Sequence, residues 1–145
     1  MVKIGQKHID KDDYKIKAYY NIVNQDMEVV GRINIIYYCL YNMTEMEYLI
    51  LPQHQNQGYA TQAVRLVLKD LYCNKYIDDL TYLTAFGKAQ KSSCDRIILQ
   101  IDHDNIASLK VAKRNGFKLI KERTSFSGEI TRDDFKKLYQ QERTL

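Results

Sequence analysis

The sequence predicts an α/β (α+β) fold built on a mixed, mainly antiparallel sheet with helices packed on it. Three observations point there. Tyr14 to Ile22 carries apolar side chains at a period of two, as a half-buried strand does, and a second β-rich run follows it. A strand-loop-helix unit follows around Gly58, and a second strand-helix unit begins at Arg96. Antiparallel strands followed by a strand-helix-strand unit give a sheet of mixed direction. With 145 residues the chain is expected to form a single domain over 1–145.

Tyr14 to Ile22 opens the pattern: Tyr14, Ile16, Ala18, Tyr20 and Ile22 alternate with Lys15, Lys17, Tyr19 and Asn21. Asn24-Gln25-Asp26 reads as a turn. Val29 to Cys39 is a second β-rich run, with Gly31 at a bulge, and the two runs form a hairpin. Glu45 to Leu51 is a third run, ended by Pro52. The period then changes. Ala60, Ala63, Val64, Val67, Leu68 and Leu71 recur at helical spacing, with Gln62, Arg65 and Lys69 on the other side as a solvated face.

Arg96 to Asp102 is a continuous apolar strand, expected to be buried on both faces. It leads into a helix from about Asn105 to Arg114, capped by Asp104 or Asn105 and stopped at Gly116. Phe117 to Glu122 reads as another strand. Between the two units, Ile77, Leu80, Leu83 and Thr84 suggest a further helix within the connection 74–95. The tail from Ile130 to Glu142 is expected to be helical, with Thr131 as cap and Phe135, Leu138 and Tyr139 on one side.

Composition narrows the function. The chain is 45% hydrophobic and 28% charged, which excludes disorder, and its single proline and six glycines exclude low-complexity structure. No apolar run approaches the ~20 residues of a membrane span. The N-terminus carries charges where a signal peptide has its apolar core, so a cytoplasmic protein without a membrane partner is expected. Cys39, Cys73 and Cys94 fit neither a disulfide framework nor a zinc site, and His8, His54 and His103 lack ligand spacing. The net charge of +4 is interleaved along the chain and does not point to nucleic acid. The tyrosines at 19, 20, 37, 38 and 41 fit sheet packing, with a homodimer face or a ligand-pocket lining as the other readings.

The segment Gln55-Asn56-Gln57-Gly58-Tyr59-Ala60-Thr61 carries the strongest chemical signal. Gly58 has no Cβ and precedes a helix whose first N–H groups lack intrahelical partners. Unpaired amides at the positive end of a helix dipole make a phosphate site. No Walker lysine and no GxGxxG run is present. The ligand is therefore expected to be a phosphate ester held by main chain.

These residues fit the Q/R-x-x-G-x-G/A motif of the GCN5-related N-acetyltransferases, and Asn105, followed by Asn115-Gly116-Phe117, resembles that family's second signature. Asn105-Ile106-Ala107-Ser108 is most similar to the ribosomal-protein N-acetyltransferase branch. The resemblance covers roughly Tyr14 to Lys121. It implies acetyl-CoA as co-substrate and an amine as acceptor, small molecule or protein. It also implies a parallel strand pair, the strand ending at Pro52 and Arg96–Asp102, that splays apart. Gln55, Asn56, Gln57, Gly58, Tyr59, Ala60 and Thr61 would then hold the pyrophosphate. The main chain of Tyr48, Leu49 and Ile50 would pair with the pantetheine arm, and Asn105 would hydrogen-bond it.

The chain departs from the family pattern at three places. A tyrosine acid is commonly found where Ala112 stands, so Ser108 is the nearest proton donor, its plainer role being a small residue on a packed helix. A glutamate base of some relatives is replaced by Gln100. Glu47 is then the candidate base, with Glu45, Asp102 and His103 as alternatives; for either glutamate a solvated strand edge is the plain reading. Only about a dozen residues precede Tyr14, where relatives carry a strand and two helices. An acyl-CoA-binding or interaction module with little turnover is the second reading of these departures.

Overall fold

A computed structural model describes residues 1–11, 15–38, 43–73, 81–83, 89–91 and 95–144. Ten strands and three α-helices occur among them: β1 (Lys3–Ile4), β2 (His8–Lys11), β3 (Lys15–Val23), β4 (Val29–Tyr38), β5 (Met43–Ile50), α1 (Tyr59–Cys73), β6 (Thr81–Leu83), β7 (Ala89–Lys91), β8 (Arg96–Asp102), α2 (Ile106–Arg114), β9 (Lys118–Lys121), β10 (Ser125–Thr131) and α3 (Arg132–Thr144). The main sheet runs β1-β3-β4-β5-β8-β10-β9, with β2 also on β3, and β6 and β7 form a separate pair. Every pairing in the main sheet is antiparallel except β5 with β8.

Alternation decides which face is buried. Ile16, Ala18, Tyr20 and Ile22 of β3, Ile33 and Ile35 of β4, Met46 of β5, and Ile97, Leu99 and Ile101 of β8 are buried on one face. All but Ile16 share a single apolar cluster with Ala63, Val64, Val67, Leu68 and Leu71 of α1, Leu109, Val111 and Ala112 of α2, and Phe135 of α3. All three helices therefore cover the same face of the sheet. The other face carries Lys17, Arg32, Glu47, Leu49, Gln100 and Asp102, all exposed. Two polar ties fix helices to strands: the Tyr20 hydroxyl donates to Asp70 Oδ2 at 2.6 Å, and the Tyr72 hydroxyl donates to Ile130 O at 2.8 Å.

The β3-β4 hairpin turns at Asn24, whose Oδ1 accepts from the main-chain N–H of Asp26 and of Glu28. Its register slips beside Gly31: Ile22 faces Gly31, whereas Val23 faces Val29, so Val30 is an inserted residue. A Cβ on Gly31 would overlap the Leu49 carbonyl oxygen. Only glycine lets β4 and β5 approach so closely here.

Several expectations need correction. Arg96–Asp102 is buried on one face only, because Gln100 and Asp102 lie on the uncovered side. Ile130 and Thr131 end strand β10 and are not helical. The tail helix starts at Arg132, and Thr131 does cap it, its Oγ1 accepting from the Asp134 N–H at 3.1 Å. Leu83 lies in β6, which replaces the helix expected there; Ile77, Leu80 and Thr84 fall outside the described residues. Tyr41, Cys39 and Cys94 do as well. Arg65 and Lys69 are half-buried, their cations over Phe135 and Tyr139 of α3, and so do not form a solvated face. Tyr20 and Tyr37 are packing residues, while Tyr19 and Tyr38 sit half-buried on the face without helices.

Candidate functional site

Strands β5 and β8 are held together at Thr44↔Ile97 and Glu45↔Ile98 and nowhere further along. Each then follows its antiparallel neighbour. β5 stays on β4 to the Gly31↔Ile50 pair, and the Leu51 N–H still reaches Val30 O at 2.8 Å. β8 stays on β10 to Asp102↔Ser125. The sheet thus divides into two leaves around an open cleft of about 260 Å³. Met46, Glu47 and Tyr48 line one wall, Leu99 to Asp102 the other, and Asn105 and Ser108 the end beside α2. Past Glu45 and Ile98, the main-chain groups on the two facing edges have no strand partner. Such groups seek a hydrogen-bonding ligand or water.

The first turn of α2 closes the helix side of this cleft. Asn105 caps the helix, its Oδ1 accepting from the Ser108 N–H at 3.2 Å. The cap uses the oxygen and leaves the Nδ2 donor uncommitted by it. Tyr48 reaches across from β5, its hydroxyl donating to Ser108 O at 2.8 Å. Burial pushes the Tyr48 phenol up to about 12, and the bond to Ser108 offsets only part of that. Tyr48 therefore stays protonated and acts as a neutral strut between the two leaves. Ala112, one turn beyond Ser108, is fully buried.

Between β5 and α1 the chain makes a short 3₁₀ turn at Pro52–His54 and then the loop to Gly58. Gln55 Nε2 donates back to Ile50 O at 3.0 Å and braces the loop against the strand. Asn56 and Gly58 have φ of 64° and 76°. The Gly58 carbonyl accepts the first helical bond, from Gln62 N–H at 3.3 Å, so Gly58 is the N-cap of α1. The N–H groups of Tyr59, Ala60 and Thr61 then lack intrahelical acceptors. A Cβ on Gly58 would meet nothing nearer than Gln62 Nε2 at 3.9 Å, so the space over its backbone is open. The buried Asn115 ties the two helices together, Nδ2 donating to Thr61 O at 3.2 Å and to Val111 O at 3.0 Å.

The residues singled out in the sequence divide into three groups. Tyr48, Asn105 and Ser108 meet in the cleft, and the loop 55–61 sits at the start of α1. Leu49 faces the opposite side and is 63% exposed. Because the Leu51 N–H turns to Val30 O, alternation turns the Leu49 N–H and C=O to β4 as well, so the main chain of Tyr48 and Ile50, and not that of Leu49, borders the cleft. Glu47 is exposed on the face without helices and opens on the cleft mouth. Glu45 lies nearer the closed end, where its Oε2 accepts from the Tyr38 hydroxyl at 3.2 Å. Burial, then the charges of Glu45 and Glu47, raise the Tyr38 phenol above its ordinary value. His103 is occupied: its Nε2 lies 3.0 Å from both Glu122 O and Ser125 O, holding the β9-β10 turn.

The sequence reading did not single out the reach of Tyr48 to α2, the Asn115 tie or the Tyr38–Glu45 pair. The first two join residues more than fifty apart in sequence, the third crosses from β4 to β5 over seven residues, and only the position of Asn115 beside Gly116 gave a local signal. Among the described residues no cluster could hold a metal ion, and no helix is long and apolar enough to cross a membrane.

Comparison with known proteins agrees with this geometry. Residues 4–118 match a family model described as "Acetyltransferase (GNAT) domain". No curated protein sequence matches the chain. Among solved structures, a spermidine N-acetyltransferase SpeG chimera from Vibrio cholerae and hSSAT is similar, at TM-score 0.63 and 14% identity, over 83% of this chain and 69% of that one. Mutant forms of the spermidine/spermine N-acetyltransferase SpeG from Vibrio cholerae give TM-score 0.59 at 15% identity, over 84% and 70%. A GNAT-family acetyltransferase from Bacillus anthracis gives 0.58 at 17%, over 79% and 66%. At these identities the structural likeness establishes the fold alone.

Proposed function

The chain belongs to the GNAT acetyltransferase family, and from that premise we propose that it moves an acetyl group from acetyl-CoA to a primary amine by direct attack in a ternary complex. The observation that carries the reading is the unpaired edge of β5, followed in the chain by a loop whose backbone at Gly58 is open. A long ligand with an amide-bearing arm and a phosphate end fits both parts. Acetyl-CoA would supply the activated thioester.

The chain's own groups divide the remaining work. The first-turn amides of α1 and the loop 55–61 hold the phosphates. The main chain of Tyr48 and Ile50, on either side of Leu49, pairs with the pantetheine arm, and Asn105 donates Nδ2 to it. The free edge of β5 near Glu47 offers an N–H for the thioester oxygen as negative charge develops. The amine enters from the face without helices, where Glu47 takes up its proton, directly or through a water. Ser108 donates a hydrogen bond to the departing sulfur.

The test is thiol release from acetyl-CoA against a panel of amines: spermidine and spermine first, given the activities named for two similar structures, then amino acids and peptides with free N-termini. Binding without release for any amine supports the second reading, an acyl-CoA-binding module. The buried Ala112 favours that reading, since it has no proton to give. No binding of CoA overturns both.

A further inference from the structure

The phosphate loop is neutral, and one side chain makes up for it. From Leu51 to Gln62 the chain has no lysine or arginine. The nearest cations on α1, Arg65 and Lys69, lie over Phe135 and Tyr139 and face α3. Within the loop and the first turn of α1, a ligand carrying two or more negative charges is therefore met by dipoles. Of the side-chain amides here, Gln55 has its nitrogen committed to Ile50 O. Gln62 does not.

Gln62 Oε1 accepts from the Val2 main-chain N–H at 3.0 Å. A main-chain N–H can only donate, so the oxygen of the amide must face Val2 and the nitrogen must face away. That nitrogen is the atom 3.9 Å from where a Gly58 Cβ would stand. The anchor is firm, because Val2 is buried at 3% exposure in the main core and the following β1 pairs with β3. The donor is thus aimed over the Gly58 backbone before any ligand arrives. We infer that Gln62 is a further phosphate ligand of the acyl-CoA site, a neutral donor oriented by the N-terminal strand, and that it stands in for the missing cation. The inference rests on the function proposed above.

Gln62→Glu is the discriminating substitution. A carboxylate still accepts from the Val2 N–H, and a negative charge in the first turn of α1 favours the helix, so folding is retained. The donor over Gly58 is lost and a like charge faces the phosphates. The CoA dissociation constant, read by titration calorimetry, should rise about tenfold or more, and dephospho-CoA, which keeps the pyrophosphate, should weaken equally. The KM for acetylpantetheine, which has no pyrophosphate, should stay at the parent value. Equal CoA affinity in parent and variant overturns the inference, and so does equal weakening toward acetylpantetheine, which assigns Gln62 to packing alone. A parent that binds no CoA overturns the proposed function and this inference together.

Discussion

Gly58→Glu separates the cofactor site from the fold. The structural consequence is modest. A side chain at φ 76° is strained by about 1–2 kcal/mol, but the added Cβ enters open space, with only Gln62 Nε2 as near as 3.9 Å. The consequence for binding is larger. A carboxylate about 4 Å from a phosphate charge repels it by about 1 kcal/mol in bulk water and about 4 at the dielectric of a protein surface. Allowing for screening, a loss of about 2–4 kcal/mol makes the dissociation constant roughly 30- to 1,000-fold higher. Gly58→Asn is the matched control, because asparagine tolerates the left-handed region and adds no charge; its affinity should fall much less. Calorimetry with CoA and urea denaturation of both variants give the two axes. A folded Gly58→Glu protein that binds CoA as tightly as the parent refutes the argument that phosphates lie over this glycine.

Gly31→Ala should lower stability by about 1–3 kcal/mol, because its Cβ meets the main chain of β5 and no flexible side chain; a urea midpoint equal to the parent's contradicts this. Ser108→Ala should lower kcat about tenfold or more with KM for acetyl-CoA unchanged, since the bond to sulfur exists only late in the reaction; equal turnover leaves Ser108 a packing residue. Glu47→Gln should lower kcat/KM by roughly a hundredfold and leave thermal stability as it is. An unchanged pH–rate profile transfers the role to Asp102 or solvent. The Thr131 hydrogen bond, before other causes, lowers the Asp134 carboxyl below its ordinary value of 3.8. A depressed carboxyl stabilises the fold above 3.8, and that share is lost as pH falls through the lowered value. Thr131→Ala should weaken the fold by about 1 kcal/mol at neutral pH and blunt its acid sensitivity below pH 4, both followed by circular dichroism.

The elements that were legible in the sequence are those whose packing is local and periodic. β3 alternates cleanly and α1 repeats its apolar face from Ala63 to Leu71, so both show their buried sides in sequence; β4 is legible as a strand, but its adjacent apolar pairs Ile35-Ile36 and Tyr37-Tyr38 do not show which side is buried. β10 was missed because Ser125, Ser127 and Gly128 have little strand propensity; the segment is a strand because β8 and β9 pair with it on both sides. β8 was misjudged for the related reason that Ile98 suggested a second buried face, which no described helix covers. β1 is two residues long and depends on β3 and on Gln62. The loop and Asn105 were found by motif and end up where a shared ligand could reach both. What joins them, Tyr48 to Ser108 and Asn115 to Thr61, links residues more than fifty apart, and no local pattern reports such pairs.

The missing tyrosine at Ala112 raises the question of what protonates the departing thiolate, and Tyr48 is the nearest phenol in the cleft. Magnitudes argue against it. Its phenol at about 12 stands roughly 3.5 pK units above an ordinary thiol, so transfer to sulfur is uphill by about 5 kcal/mol. The burial that raises it also keeps its O–H on the Ser108 carbonyl, where it sets the width between β5 and α2. A carboxyl group at the mouth has the opposite balance. A carboxylate is far too weak a base to strip a free alkylammonium, so the acceptor must arrive as the neutral amine. Once the C–N bond forms, the nitrogen becomes strongly acidic and its proton passes to the carboxylate readily. The resulting carboxylic acid is then the strongest acid in reach of the thiolate. Under the function proposed above, Glu47 would carry the proton from nitrogen to sulfur, directly or through one water, and Ser108 would only steady the sulfur while it waits. Replacing Ala112 with tyrosine should therefore leave the rate dependent on Glu47.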